Sequence, residues 1–86
     1  MKITYTQHAL ARMAERRISQ LEVEATLKNP IRQIPAEHGR IESQGFIERF
    51  GIKKILRVIG EGEGLMLIVT VMATSKFESM EFHHEN

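Results

Sequence analysis

The sequence predicts an α+β domain, with two N-terminal helices packed on an antiparallel sheet of three or four strands. Three observations carry that expectation. Leu10, Met13 and Ala14 recur on one side of a helix drawn at roughly 100° per residue, the period of an amphipathic helix. Ser19-Gln20-Leu21-Glu22 is a capping box, in which the Ser19 hydroxyl and the Glu22 carboxylate serve each other's backbone N–H groups. Past Pro30 the period changes to two, and the chain reaches Leu65 to Ala73, a run almost without a polar side chain. Helices followed by strands without interleaving predict α+β.

In chain order, Lys2 to Tyr5 alternates polar and apolar residues and reads as a short strand leading in. Thr6 is the expected N-cap of a first helix that runs to Arg16 or Arg17. A tight joint follows. Ile18 and Val23 form a hydrophobic staple around the Ser19 cap, and Val23, Thr26 and Leu27 give the second helix its buried stripe. Glu24 and Lys28 make an exposed pair four apart, and Asn29-Pro30 ends the helix because the residue before proline resists the helical region.

Ile31 to Pro35 allows a short extended piece, and Ala36 to Gly39 reads as a loop carrying His38. Arg40 to Ser43 and Phe46 to Phe50 are brief period-2 segments whose separation by Gln44-Gly45 suggests a hairpin, with a bulge or bend at Gly51. In the strand from Lys53 to Ile59 the alternation leaves open whether Leu56 and Val58 or Ile55 and Ile59 face the core. The glycine-punctuated turn Gly60 to Gly64 precedes Leu65 to Ala73, which is predicted as the central strand, buried on both faces. Residues 1–77 make one domain and 78–86 a loose tail, in which the adjacent His83 and His84 are expected to be solvated.

A chain of 86 residues is one small domain. It buries only about 60 to 65% of its unfolded surface, so a homodimer or a bound partner is a natural supplement. With no cysteine there is neither a disulfide framework nor a thiolate metal site, which fits a reducing cytoplasm. No apolar stretch has the character of a signal peptide or a membrane span, so the protein is expected to be neither exported nor embedded. The net charge of +1 means that any RNA must bind a local basic patch rather than the whole molecule.

The chemistry-bearing residues cluster on the first helix. His8, Arg12 and Glu15 fall on the side away from the apolar stripe, with Arg16 at their edge, and the i, i+4 spacing of His8, Arg12 and Arg16 sets them beside one another. A histidine titrates near neutrality and guanidiniums hold phosphate bidentately, an inventory that suits RNA cleavage by side chains alone. His8 or Glu15 would take the 2′-hydroxyl proton and Arg12 with Arg16 would clamp the phosphate. Arg49, Lys53, Lys54, Arg57 and Lys76 would complete an RNA-binding surface. No cofactor is expected, and His8 and His38 stand too far apart, without a spaced acidic pair, for a metal site.

The motif His8-x-x-x-Arg12-x-x-x-Arg16-x-Ile18-Ser19 extends this, together with the opening His-Ala-x-x-Arg-Met, Glu22-Val23, Asn29-Pro30, Leu56-Arg57-Val58 and Val69-Thr70-Val71. In these the chain resembles the small bacterial proteins of domain-of-unknown-function family 4258, from about Ile3 to about Ala73. Arg17 stands where the resemblance leads one to expect a glycine between the helices. That family looks similar in architecture to the RelE and BrnT toxins, small nucleases that cut RNA and are silenced by an antitoxin protein. The resemblance implies a toxin-like, metal-independent endoribonuclease of a toxin–antitoxin system, with an antitoxin as partner and His8, Arg12 and Arg16 on the acting face. The alternative is a non-enzymatic protein-interaction module in which the His/Arg cluster is a structural strut.

Overall fold

A computed structural model describes residues 1–75; Lys76, His83, His84 and the tail from 78 to 86 lie outside the described residues. The elements are β1 (Lys2–Tyr5), α1 (Gln7–Arg16), α2 (Gln20–Lys28), β2 (Arg32–Pro35), a 3-10 turn (Glu37–Gly39), β3 (Ile41–Arg49), β4 (Ile52–Glu61) and β5 (Leu65–Thr74). The class is α+β, but the sheet is neither small nor purely antiparallel. It has five strands in the order β1-β5-β4-β3-β2, with β1 parallel to β5 and the remaining pairs antiparallel.

The expectation of three or four antiparallel strands fails on β1. That strand has only four residues, and its partners, Leu65 to Ile68, are some sixty positions away, so nothing local announces the pairing. The chain leaves β1 straight into α1 and returns only after both helices, and the edge left for β1 is beside β5. The pairing is held by Thr6, whose N–H donates to the Ile68 carbonyl at 3.0 Å and whose hydroxyl donates to the Val69 carbonyl at 3.1 Å. The same hydroxyl accepts from Ala9 N–H at 3.0 Å, so one side chain caps α1 and fastens it to the sheet. As a further consequence β4, not the Leu65 strand, is the middle of the sheet.

Directly paired strand residues share a face, which settles the alternation left open by the sequence. Leu56 and Val58 of β4, with Ile68 and Val71 of β5, pack against Ala9, Met13, Ile18, Val23 and Leu27. The opposite face carries the rows Glu42–Ile59–Thr70 and Gln44–Arg57–Met72, and both described α-helices pack on the other side. β5 is fully buried at Ile68 and Val71 and half-buried at Thr70 and Met72, so burial on both faces is incomplete.

The hairpin expected at Gln44-Gly45 is absent, because β3 runs unbroken through both. Gly45 is there for space: a Cβ would stand 2.7 Å from Thr26 Oγ1 of α2. The true turn is Phe50-Gly51, two residues at φ 54° and 79°, the signature of a type I′ hairpin.

Both predicted caps form. Ser19 Oγ accepts from Glu22 N–H at 3.1 Å and Glu22 Oε1 accepts from Ser19 N–H at 3.0 Å. Between the helices Arg17 takes the left-handed conformation, φ 58° and ψ 44°, while Ile18 N–H reaches Met13 O at 2.9 Å and Arg17 N–H reaches Ala14 O at 3.3 Å. This is a Schellman closure, and the position where glycine was expected is its left-handed residue. The joint stays tight with arginine there, at a conformational cost. No described helix is long and apolar enough to cross a membrane.

Two stability measurements follow from these caps. Ser19→Ala should lower the unfolding free energy by about 0.5 to 2 kcal/mol, because a donor of the first turn loses its acceptor; an unchanged urea midpoint would count against the capping box. Arg17→Gly should raise it by about 0.5 to 1 kcal/mol, the relief of a left-handed non-glycine residue less the extra chain entropy of glycine. A drop in the melting temperature of that variant would show that the Arg17 conformation is unstrained.

Candidate functional site

The acting face expected on α1 divides in two. His8 is exposed in the first turn, while Arg16 ends the helix, and eight residues separate them by about 12 Å along the axis, too far to share one phosphate. Arg12 Nη1 meets Glu15 Oε1 at 3.2 Å, in a pair whose side chains are 43% and 60% exposed. Such an exposed pair within one helix contributes little stability, and among the described residues neither of its members hydrogen-bonds to the sheet.

The concave site lies at the C-terminal end of α1. There Glu15, Arg16 and Arg17 meet Ile47, Arg49, Phe50, Ile52, Lys54 and Ala73 around an open cleft of about 270 Å³. Of the predicted catalytic residues Glu15 and Arg16 reach it, and His8 and Arg12 are not among its walls. Of the predicted RNA-binding residues Arg49 and Lys54 reach it. Lys54 pairs with Ile47 and Lys53 with Glu48, so the adjacent lysines stand on opposite faces of the sheet. Lys53 Nζ lies 5.0 Å from the centroid of the Phe46 ring, a cation–π contact. Arg57 is on the far face as well, and Lys76 is outside the described residues.

Three cationic residues line the cleft along with Arg49, and they differ from it in commitment. Arg49 Nη2 donates to Glu22 Oε1 at 2.6 Å and to the Arg17 carbonyl at 2.8 Å, and Arg49 Nη1 donates to the Glu48 carbonyl. It is a strut from β3 to the helix joint. The same contact holds the Glu22 carboxyl below its usual range, the Arg49 hydrogen bond outweighing the opposing effect of burial, with the Ser19 N–H assisting. Arg16, Arg17 and Lys54 have no ion pair among the described residues, so their charges are available to a ligand.

The lip of the cleft is aromatic. Phe50 is 94% exposed and is held out by a backbone at positive φ. Non-glycine residues at positive φ among the described residues are Arg17, His38 and Phe50, and two of the three belong to this cleft. Strain gathered at one place is an observation that points to function. Sequence reasoning missed Arg17, Phe50 and Ile52. The Phe-Gly pair between two period-2 runs was the available signal for Phe50, and the unexpected arginine at the joint was the signal for Arg17.

On the opposite face Glu42 is 4% exposed and bound on both oxygens. Arg57 donates to it twice, Nε to Oε2 at 2.7 Å and Nη2 to Oε1 at 3.1 Å, and Gln44 Nε2 adds a third bond at 2.7 Å. Burial alone would push the Glu42 carboxyl up, but the hydrogen bonds from Arg57 and Gln44 and the charges of Arg57 and Arg32 prevail, and the net displacement is downward. Arg57, expected as an RNA contact, is thus occupied in a bidentate pair. Among the described residues no three His, Asp or Glu side chains come together in a way that could hold a metal ion.

The downward displacements of Glu22 and Glu42 fix a pH response. A carboxyl whose folded pKa lies below its unfolded value contributes stability that is fully present above the unfolded value, about 4.3, and is lost as pH falls through the folded one. Stability should therefore decline below about pH 4. Glu42→Gln should cost about 1 to 3 kcal/mol at pH 7, and its deficit relative to the unsubstituted protein should shrink as the pH is lowered through that range. A deficit that stays constant with pH would mean that Glu42 is not ionised in the folded protein.

No curated protein and no solved structure matches the chain, and nothing found connects it to the RelE or BrnT toxins. The family described as Domain of unknown function (DUF4258) matches residues 5–73, from the last residue of β1 to the penultimate residue of β5, and the chain belongs to that family.

Proposed function

We propose that the protein is a toxin-like endoribonuclease of a toxin–antitoxin system, cutting single-stranded RNA in the cleft at the helix joint with side chains alone. The observation that supports this reading most is the meeting of Arg16, Arg17 and Lys54 with an exposed, strained Phe50. Guanidiniums suit the phosphate and an aromatic ring suits an unstacked base, which is how single strands are held without regard to sequence.

In this reading the Glu15 carboxylate takes the proton of the 2′-hydroxyl, and Arg12, paired to it, fixes its position. The 2′-oxygen bonds to phosphorus while Arg16 and Arg17 steady the added negative charge. The bond from phosphorus to the 5′-oxygen breaks, and that oxygen receives a proton from Lys54, since a guanidinium does not release one. The products are a 2′,3′-cyclic phosphate and a 5′-hydroxyl. His8, two helical turns away, has no part in the reaction. An antitoxin would silence the protein by laying an acidic segment in the same cleft, and the exposed apolar side chains of Phe50 and Ile52 would add to its grip.

The test is incubation of purified protein with single-stranded RNA in the presence of chelator. Cyclic phosphate ends should form, Arg16→Ala and Lys54→Ala should each slow cleavage on the order of 10²-fold or more, and melting temperatures should be kept. A loss in His8→Ala equal to that in Arg16→Ala would return the chemistry to the outer face of α1. RNA that is neither cut nor bound would favour the protein-interaction module, for which the exposed Phe46, Phe50 and Ile52 around the β3–β4 hairpin are the specific support.

A further inference from the structure

The helix-free face of the sheet holds a second concavity, independent of the cleft and of the RNA reading. Register aligns Arg32 with Gln44 and Gln44 with Arg57, so the two arginines flank a glutamine across about 10 Å of sheet, two strand spacings. Together with Ile34, Glu42 and Ile55 they line a pocket of about 220 Å³.

The polar groups in it are unevenly used. Glu42 accepts three hydrogen bonds, and its negative charge is already matched by the bidentate Arg57 guanidinium. Arg57 spends Nε and Nη2 on Glu42, which leaves Nη1 without a hydrogen bond among the described residues. Arg32 is exposed and has no ion pair among the described residues, although its charge is felt at Glu42. Two guanidiniums against one carboxylate leave one positive charge in excess.

A bidentate pair with its carboxylate buried is an expensive way to hold a sheet together, since apolar residues of similar volume are often as stable. What the pair does accomplish is to orient Arg57. Its guanidinium is fixed in plane by Glu42, with Nη1 as the remaining donor, so a second anion loses little entropy on binding. The apolar side chains of the pocket stand on either side of the Arg32–Gln44–Arg57 row, the half-buried Ile34 next to Glu42 and the buried Ile55 next to Thr74.

We infer that this pocket binds a small organic monocarboxylate, its oxygens between Arg32 and Arg57 Nη1 and its aliphatic part on Ile34. One excess positive charge matches one negative charge, which favours a carboxylate over a phosphate dianion. The apolar surface of Ile34 favours a carboxylate with a short hydrocarbon body over an inorganic ion. A bound molecule of this kind would sit on the sheet face opposite the cleft, so it need not compete with RNA.

Titration of the full chain with isovalerate, followed by backbone and arginine side-chain NMR signals, tests the assignment. Saturable shifts should gather at residues 32–34, 42–44 and 55–57, and the neutral isostere isovaleramide should leave them unmoved. Arg32→Gln should weaken isovalerate at least tenfold, and Arg32→Lys, which keeps the charge and loses the fork, should fall between the two; if the glutamine variant fails to fold, the lysine variant decides by binding more weakly than the unsubstituted chain. The inference is overturned if isovaleramide binds as well as isovalerate, if inorganic phosphate binds more tightly, if the shifts gather instead at Arg16, Arg17 and Lys54, or if replacing Arg32 changes nothing.

Discussion

The carboxylate of Glu22 is where the fold is tied together. Its Oε1 accepts from Ser19 N–H and from Arg49 Nη2, so a single atom closes the capping box of α2 and ties the helix joint to β3. Arg49 in turn reaches the Arg17 carbonyl, which holds the left-handed residue from the other side. Remove this group of contacts and the α1–α2 joint has no polar link to the sheet among the described residues, and only the apolar core would hold it there. The cleft is a by-product of that fastening. Its walls are the end of α1, the joint and the β3–β4 hairpin, and the Arg49 strut draws these three together.

Features set by neighbours in sequence could be read directly. Thr6 and Ser19 cap because a hydroxyl acts within three residues, and Asn29-Pro30 ends α2 because the steric conflict is with the next residue. The parallel β1–β5 pair could not, since a four-residue strand and a long apolar strand sixty residues later have no mark of partnership in their patterns. Gly45 misled for a related reason. A glycine after Gln44 has the composition of a turn, while its real cause, the closeness of Thr26 on another element, becomes visible only when α2 is laid on β3.

For the site, helical periodicity told which residues of α1 point outward but not where the surface is concave. His8, Arg12, Glu15 and Arg16 do lie outward as expected, yet a stretch of two turns of helix is longer than a phosphate, and only its C-terminal part borders the cleft. The grouping of Arg49, Lys53, Lys54 and Arg57 into one basic surface contradicts the period of two that was used to recognise the strand. Adjacent residues of a strand face opposite ways, so Lys53 and Lys54 never belonged together, and Arg57 shares the parity of Lys53. That part of the error was avoidable from the sequence alone.

Parity also separates two kinds of arginine in this small protein. Arg49 faces the helices, where a partner from another element, Glu22, is within reach, and its bonds are spent on holding the fold. Arg57 faces away from the helices and finds its carboxylate two strand positions off, on the neighbouring β3, so its bonds stay within the sheet and draw no helix in. A pair confined to one layer adds nothing to the attachment of layers, which is the task that most limits a domain of this size. The Glu42–Arg57 pair therefore asks for a reason outside the fold, in the way that Arg49 does not, and the anion site proposed for the pocket that Arg57 lines would supply one.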